Sequence, residues 1–207
     1  MTSLISGFMN PYLFTVVVAT PVQYPPAALT GASTNLSSQP YGNGYYYVTY
    51  SAFQSFGTNV AYQAFNYITN SETDGWSTNS WLNSPNHGST TMTATSSNNV
   101  DWLQIQLPNT IVLNNYKIWC RNDPGYTAQS PTGWWICGSN DGTTWTIIDG
   151  GTSTTPGRTG ISWTSQNQVQ TFTLATTPAA YSYFRLVVTT TNGSNWLIIP
   201  EWQLFGN

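Results

Sequence analysis

Chemistry in this chain has few titratable groups to draw on. His87 is the one histidine, and it stands with seven Asp and Glu and four Lys and Arg residues. General acid–base catalysis needs such groups in pairs of tuned pKa. His87 lies in a Ser- and Asn-rich stretch with no recognisable nucleophile motif. No Gly-rich phosphate loop or dinucleotide fingerprint follows a strand-like run. Two cysteines and one histidine do not make a zinc site of ordinary spacing. The chain therefore reads as non-enzymatic. What it has in quantity is aromatic rings, 10 Trp, 13 Tyr and 8 Phe, set among hydroxyls and amides. That combination suits a sugar, whose ring has an apolar face and whose hydroxyls need a few fixed polar partners. The candidates in loop-like sequence are Trp81, His87, Arg121, Asn122, Tyr126 and Trp196. A structural role competes for each: Trp81 as a plug at one end of the fold, Arg121 as the surface partner of Asp123.

Short strands are the elements available to position these residues. The clearest signal is Gly133 to Asp149, where runs of Trp, Ile and Thr flank Asn140-Asp141-Gly142. Those three residues tolerate positive φ, so the stretch predicts a hairpin about a tight turn, with Trp145 in the core beside it. Asp101 to Leu107 alternates Leu103, Ile105 and Leu107 with Trp102, Gln104 and Gln106, which buries one face and leaves Trp102 unassigned. Phe184, Leu186 and Val188 are set against Arg185 and Val187 in the same way. Further strands are expected at Tyr45–Phe53, Ile111–Arg121, Val169–Leu174 and Trp196–Phe205. With Gly and Pro turns and no helical period, the fold class is all-β, an antiparallel sandwich or barrel. The irregular stretch 66–90 holds Trp76, Trp81 and His87, and long loops in compact domains usually carry function. Residues 1–24 read as an N-terminal arm, its regularity broken by Pro21, and residues 25–207 as the domain. Cys120 and Cys137 bridge only if they sit opposite each other and face alike, which leaves the disulfide open.

Composition narrows the partners. Charged residues are 5% of the 207, against about a quarter in ordinary domains, so the surface depends on amides and hydroxyls or on cover by a larger assembly. Net charge is −3, and Lys117, Arg121, Arg158 and Arg185 form no basic stripe, which argues against nucleic acid. No run approaches the roughly 20 apolar residues of a membrane helix, so membrane insertion is not expected. Residues 1–20 contain no Lys or Arg, so no conventional signal peptide is expected either. Asn35-Leu36-Ser37 and Asn192-Gly193-Ser194 match the glycosylation sequon and are read as chance matches on that ground.

Several segments together resemble a known family. Gly138-Ser139-Asn140-Asp141-Gly142-Thr143-Thr144-Trp145, preceded by Trp-Leu-Gln-Ile-Gln-Leu at 102–107, is similar to the discoidin, or coagulation factor 5/8 type C, domain. Tyr181-Ser182-Tyr183-Phe184-Arg185-Leu186 and Glu201-Trp202-Gln203-Leu204-Phe205-Gly206 follow in the same order, and Ala64-Phe65-Asn66 resembles an Ala-x-Asp segment with Asn for Asp. The likeness spans roughly residues 27–207. It implies a galactose-binding-like jelly roll of about eight strands, used for adhesion or carbohydrate binding. It also implies a structural calcium ion, for which Glu201 and Asn66 stand at the matching positions and Asp74 or Glu72 is a substitute carboxylate; a hard cation wants six or more oxygens. The competing role for Glu201 is to accept loop backbone N–H groups. The amide-rich style resembles discoidin-like proteins of large DNA viruses. The expected function is a virion or extracellular surface protein, a minor capsid or capsid-associated attachment component whose partners are cell-surface glycans and neighbouring capsid proteins. The alternatives are a lectin-type adhesion module or the accessory carbohydrate-binding module of a secreted enzyme.

Overall fold

The computed structural model describes residues 19–51, 60–78, 100–124, 126–153, 155–194 and 196–207, with the side chains of Tyr126 and Thr127 set aside. Among these are twelve strands and a four-residue helix, α1 (Tyr126–Gln129). The strands β1 (Val22–Tyr24), β2 (Ser33–Leu36), β3 (Gly44–Tyr50) and β4 (Trp76–Thr78) precede the long β5 (Asp101–Ile111). Then come β6 (Leu113–Trp119), β7 (Pro131–Ser139), β8 (Thr146–Ile147) and β9 (Val169–Thr173). β10 (Tyr181–Thr191), β11 (Leu197–Ile199) and β12 (Trp202–Gly206) complete the series. Every pairing is antiparallel. One sheet runs β1-β12-β6-β9, the other β2-β3-β5-β10-β7-β8, and β11 pairs with β4 apart from both. This is the antiparallel β-sandwich expected.

The core between the sheets follows from period-2 alternation. Leu103, Ile105 and Leu107 of β5 and Phe184, Leu186 and Val188 of β10 face inward, at 0–1% exposure. Tyr116, Ile118, Trp202 and Leu204 face them from the other sheet. Each such apolar side chain contributes about 1.5–3 kcal/mol on burial.

The six-stranded sheet has a second cluster on its outer face, comprising Val100, Trp102, Trp135, Cys137, Trp145 and Val187. Trp145 is thus buried, but outside the sandwich core where the hairpin reading put it, and Trp102 joins it there. Arg185 lies between them, its guanidinium carbon 4.0 Å from the Trp102 ring centre and 3.9 Å from that of Trp145. Its Nε and Nη2 donate to Gln104 Oε1 at 3.1 and 2.6 Å. Burial lowers the Arg185 pKa to about 10, so the group stays charged at neutral pH. Arg185→Lys keeps the charge and loses the planar fork and the double stacking. It is expected to cost roughly 1–2 kcal/mol, measured as a lower urea midpoint at unchanged slope.

The hairpin is wider than a two-residue turn. Cys137 pairs with Ile147 and Gly138 with Thr146, so a loop rather than a tight turn joins β7 to β8. The Asp141 carboxylate accounts for this: it accepts the Thr143 and Thr144 N–H groups at 2.8 and 2.7 Å and the Ser139 hydroxyl at 2.9 Å. Gly142 takes φ +71° within it. These bonds hold the Asp141 carboxyl far below its usual range and set Trp145 over Arg185.

Two further observations concern the N-terminus and the cysteines, whose pairing the sequence left open. Val22–Tyr24 pairs with Leu204–Gly206, so the sandwich takes in the last three residues assigned to the arm. Residues 1–18 lie outside the described residues. Cys120 and Cys137 are free thiols, both buried. Cys137 is on the outer face of one sheet, and burial pushes its thiol up to about 12. Cys120 follows β6 of the other sheet and donates to Ser165 O at 3.1 Å.

Candidate functional site

The polar loops meet at one end of the sandwich, where β6 ends and β12 begins. Pro200 and Glu201 interrupt the last strand run, and Glu201 O accepts the Trp119 N–H at 3.1 Å, which sets the start of β12 against the end of β6. Arg121 and Asn122 follow β6 directly. Arg121 Nη1 donates to Gln129 Oε1 of α1 at 2.6 Å, and Nη2 lies 2.5 Å from Asp123 Oδ2. The same Nη2 donates to the Glu72 carbonyl, and Asn122 Nδ2 donates to the Asn70 carbonyl at 3.1 Å. Both side chains therefore fasten the loop after the 3₁₀ turn Ala61–Phe65 to the end of β6. The Arg121–Asp123 pairing that competed with a binding role is present, and Arg121 Nε is buried without a protein partner.

Trp196 joins this end through β11, which pairs with β4 immediately after the 66–75 loop. Its N–H donates to Ser194 Oγ at 3.0 Å, and Ser194 N donates to Ala128 O of α1 at 3.3 Å. The indole is half-buried. Trp81 and His87 lie outside the described residues, as does the Tyr126 side chain; the Tyr126 backbone opens α1 at this same end.

Asn66, Asp74 and Glu201 converge beneath the loop. Asn66 Nδ2 donates to Asp74 Oδ2 at 2.8 Å, while Asn66 Oδ1 accepts the Ile68 N–H at 2.9 Å. Glu201 is wholly buried; its Oε2 accepts the Tyr67 N–H at 3.1 Å and its Oε1 accepts from Gln203 Nε2 at 3.2 Å. Burial pushes the Glu201 carboxyl well above the ordinary range, and the nearby Asp74 adds to that. Burial likewise raises Asp74. Among the described residues no cation contacts either carboxylate, so two buried acids share one pocket without a countercharge. Among them, too, no three His, Cys, Asp or Glu side chains form a cluster. The side chains that meet are two carboxylates and the Asn66 amide, whose nitrogen faces Asp74 and whose oxygen is engaged by Ile68. Two carboxylates with net negative charge are oxygen donors of the kind a hard divalent cation such as calcium takes.

Sequence reasoning missed several participants. Asn70 and Gln129 act through a backbone and an amide oxygen, for which residue type gives no signal, and Glu72, named for its carboxylate, is engaged here through its backbone carbonyl. Asp101, fully buried, accepts Thr78 Oγ1 at 2.9 Å and Ser51 Oγ at 3.2 Å. Gln203 was legible in principle, since residues two apart on an extended chain share a face with Glu201.

A β-sandwich of this topology, its polar loops gathered at one end, is the architecture of a galactose-binding-like module. The chain belongs to the F5/8 type C domain family, whose pattern matches residues 62–202. No curated protein matches the sequence. Among solved structures it is similar to CpGH89CBM32-5 from Clostridium perfringens, in complex with GalNAc-β-1,3-galactose. That likeness has 14% identity and TM-score 0.52 over 78% of this chain and 95% of the other. The family 32 carbohydrate-binding module of C. perfringens NanJ, in complex with galactose, is 15% identical at TM-score 0.52, covering 77% and 93%. Allantoicase from Saccharomyces cerevisiae is 16% identical at TM-score 0.52 over 78% of this chain and 40% of that one. At these identities the likeness establishes the fold.

Proposed function

We propose that the chain is a non-enzymatic glycan-binding module that uses the loop end of the sandwich. The observation that carries this is the pair of side-chain clamps from Arg121 and Asn122 to the 70–72 backbone. They fix a loop surface before any ligand arrives, which reduces the ordering cost of binding. Two similar structures of the same fold were solved with galactose-containing sugars, which supports this ligand class. In this reading Arg121 and Asn122 shape the site, Trp196 and Trp81 offer aromatic faces, and His87 and Tyr126 supply polar contacts. A calcium ion held by Asn66, Asp74 and Glu201 would brace the same loop from below. The finer setting, a particle-surface attachment or capsid-associated role, rests on the 5% charged composition and is tested by locating the protein in its native assembly.

A glycan array followed by titration with galactose and GalNAc tests the binding role. Arg121→Ala is expected to weaken binding by about tenfold, equivalent to about 1.4 kcal/mol. An array with no bound glycan, from protein whose melting transition is intact, removes the reading.

A further inference from the structure

The segment Asn192-Gly193-Ser194 carries a chemistry that needs neither an enzyme nor a bound ligand. When glycine follows asparagine, its backbone nitrogen can attack the side-chain amide, because no Cβ obstructs the approach. Asn-Gly occurs twice in the chain, at Asn43-Gly44 and at Asn192-Gly193. Both asparagines are exposed, so exposure does not separate them. Hydrogen bonding and packing do. Asn43 Oδ1 accepts the Gln39 N–H and its Nδ2 donates to the Gln39 carbonyl, both at 2.8 Å. Gly44 begins β3, pairs with Leu36, and lies so near Pro108 that an added Cβ would stand 2.6 Å from that side chain. To react, Asn43 must release two hydrogen bonds and Gly44 must leave the sheet.

Asn192 has neither restraint. Among the described residues its side chain has no hydrogen-bond partner, and the Gly193 N–H has none either. A Cβ built on Gly193 would meet no atom within 4 Å, so nothing crowds the residue. Its φ of +89° is one that glycine holds without strain. The three Asp-Gly pairs, which share the chemistry in a slower form, are all engaged. Asp74 accepts from Asn66, Asp141 from the Thr143 and Thr144 N–H groups, and Asp149 from Arg158.

We propose that Asn192 is a site of spontaneous deamidation, the Asn-Gly pair that this fold leaves free to react. The Gly193 nitrogen bonds to Asn192 Cγ and loses its proton to solvent, while Nδ2 takes up a proton and leaves as ammonia. Water then opens the cyclic imide at either carbonyl. One opening gives aspartate in the ordinary chain. The other gives isoaspartate, in which the chain runs through the former side-chain carbon. The position gives this change a consequence. Thr191 Oγ1 donates to Ser194 O at 2.8 Å, which closes the turn across Asn192-Gly193, and Ser194 N donates to Ala128 O of α1 at 3.3 Å. Isoaspartate lengthens the chain inside that closure and draws Ser194 off α1. Either product adds an anion to a chain that has seven Asp and Glu residues. Deamidation is thus a slow, irreversible change of charge and shape at the loop end, and it holds whether or not that end binds a glycan.

Incubation of the folded full chain at mildly alkaline pH, with peptide mapping by mass spectrometry at intervals, tests the assignment. Asn192 is expected to convert at least about tenfold faster than Asn43, a barrier difference of about 1.4 kcal/mol. In urea the two rates should converge, because only the fold separates them. A more acidic species should appear on anion exchange and accept label from an isoaspartyl methyltransferase. It should be absent from Asn192→Gln, whose longer side chain closes the ring far more slowly. Hydrogen exchange at the Ser194 amide should be faster in that species than in the parent. Equal rates at Asn43 and Asn192 in the folded protein would overturn the assignment. So would an Asn192 that persists in the folded chain while the chain in urea converts. A glycan on Asn192 in protein taken from its source would overturn it too, since the amide is then blocked.

Discussion

Asp149→Ala is expected to lower the unfolding free energy by about 3 kcal/mol, toward the lower end of what breaking a buried ion pair costs. Asp149 is 3% exposed and receives Arg158 through two bonds of 2.7 Å, from Nε and from Nη2. The Tyr116 hydroxyl also donates to it, and Trp134 Nε1 in turn donates to that hydroxyl at 2.8 Å. Removing the carboxylate takes the acceptor from the buried Tyr116 hydroxyl and from Arg158 Nε, while Arg158 Nη2 keeps Thr173 O at 2.8 Å and Trp134 Nε1 keeps the Tyr116 oxygen. The Arg158 side chain keeps 26% exposure, so water recovers part of the loss, which sets the figure at 3 rather than 5 kcal/mol. At about 2–4 °C per kcal/mol for a domain of this size, the melting temperature should fall by about 6–12 °C. Asp149→Asn keeps one acceptor and the shape, and should cost less. A loss under about 1 kcal/mol for Asp149→Ala would mean that the network contributes little beyond the backbone pairing of Trp134 with Arg158.

That network shows where the sequence stopped being legible. Alternation marked Leu103, Ile105, Leu107, Phe184, Leu186 and Val188 as inward, because burial of one face imposes a period of two and the residues record it. The same rule placed Trp102, Gln104 and Arg185 on the opposite face and then had no means of finding the second cover. Trp145 and the 149–157 loop return over that face from elsewhere in the chain, so Trp102 and Gln104 end at 9% and 8% exposure. Asp149 closed the stretch read as a hairpin and Arg158 counted only as one of four cations; nothing paired them, since their partner Tyr116 is more than thirty positions away. At the candidate site the family likeness singled out Asn66 and Glu201, and the residues do meet. The clamps from Arg121 and Asn122 end on backbone carbonyls, which every residue carries, so no residue type announces them. Two of the aromatic candidates, Trp81 and the Tyr126 side chain, fall outside the described residues, and for them the sequence reading stands untested.

Calcium is expected to raise the melting temperature at neutral pH, and a chelator to lower it, through Asn66, Asp74 and Glu201. At a hundredfold excess over Kd the gain is about 2.7 kcal/mol, provided the unfolded chain does not bind. For a domain of this size that is about 5–11 °C. The pH dependence separates this from a simple hydrogen-bonding role. Burial raises the carboxyls of Glu201 and Asp74 above their unfolded values, so the metal-free folded state holds their protons more tightly than the unfolded chain does. Their contribution is therefore greatest below the ordinary carboxylate range and declines as pH rises through it. Asp141 has the opposite sign. Its backbone bonds lower its pKa, so it stabilises above the ordinary Asp range and loses that effect as pH falls. Calcium needs both pocket carboxylates ionised, so melting curves with and without it should diverge as pH rises from about 5 to 8. Glu201→Gln should remove that divergence. It should also leave the metal-free protein no less stable at neutral pH, because a neutral amide escapes the cost of burying a charge. Identical melting with calcium and with chelator across this range would leave Glu201 as a buried acid whose task is to collect the Tyr67 N–H and the Gln203 amide.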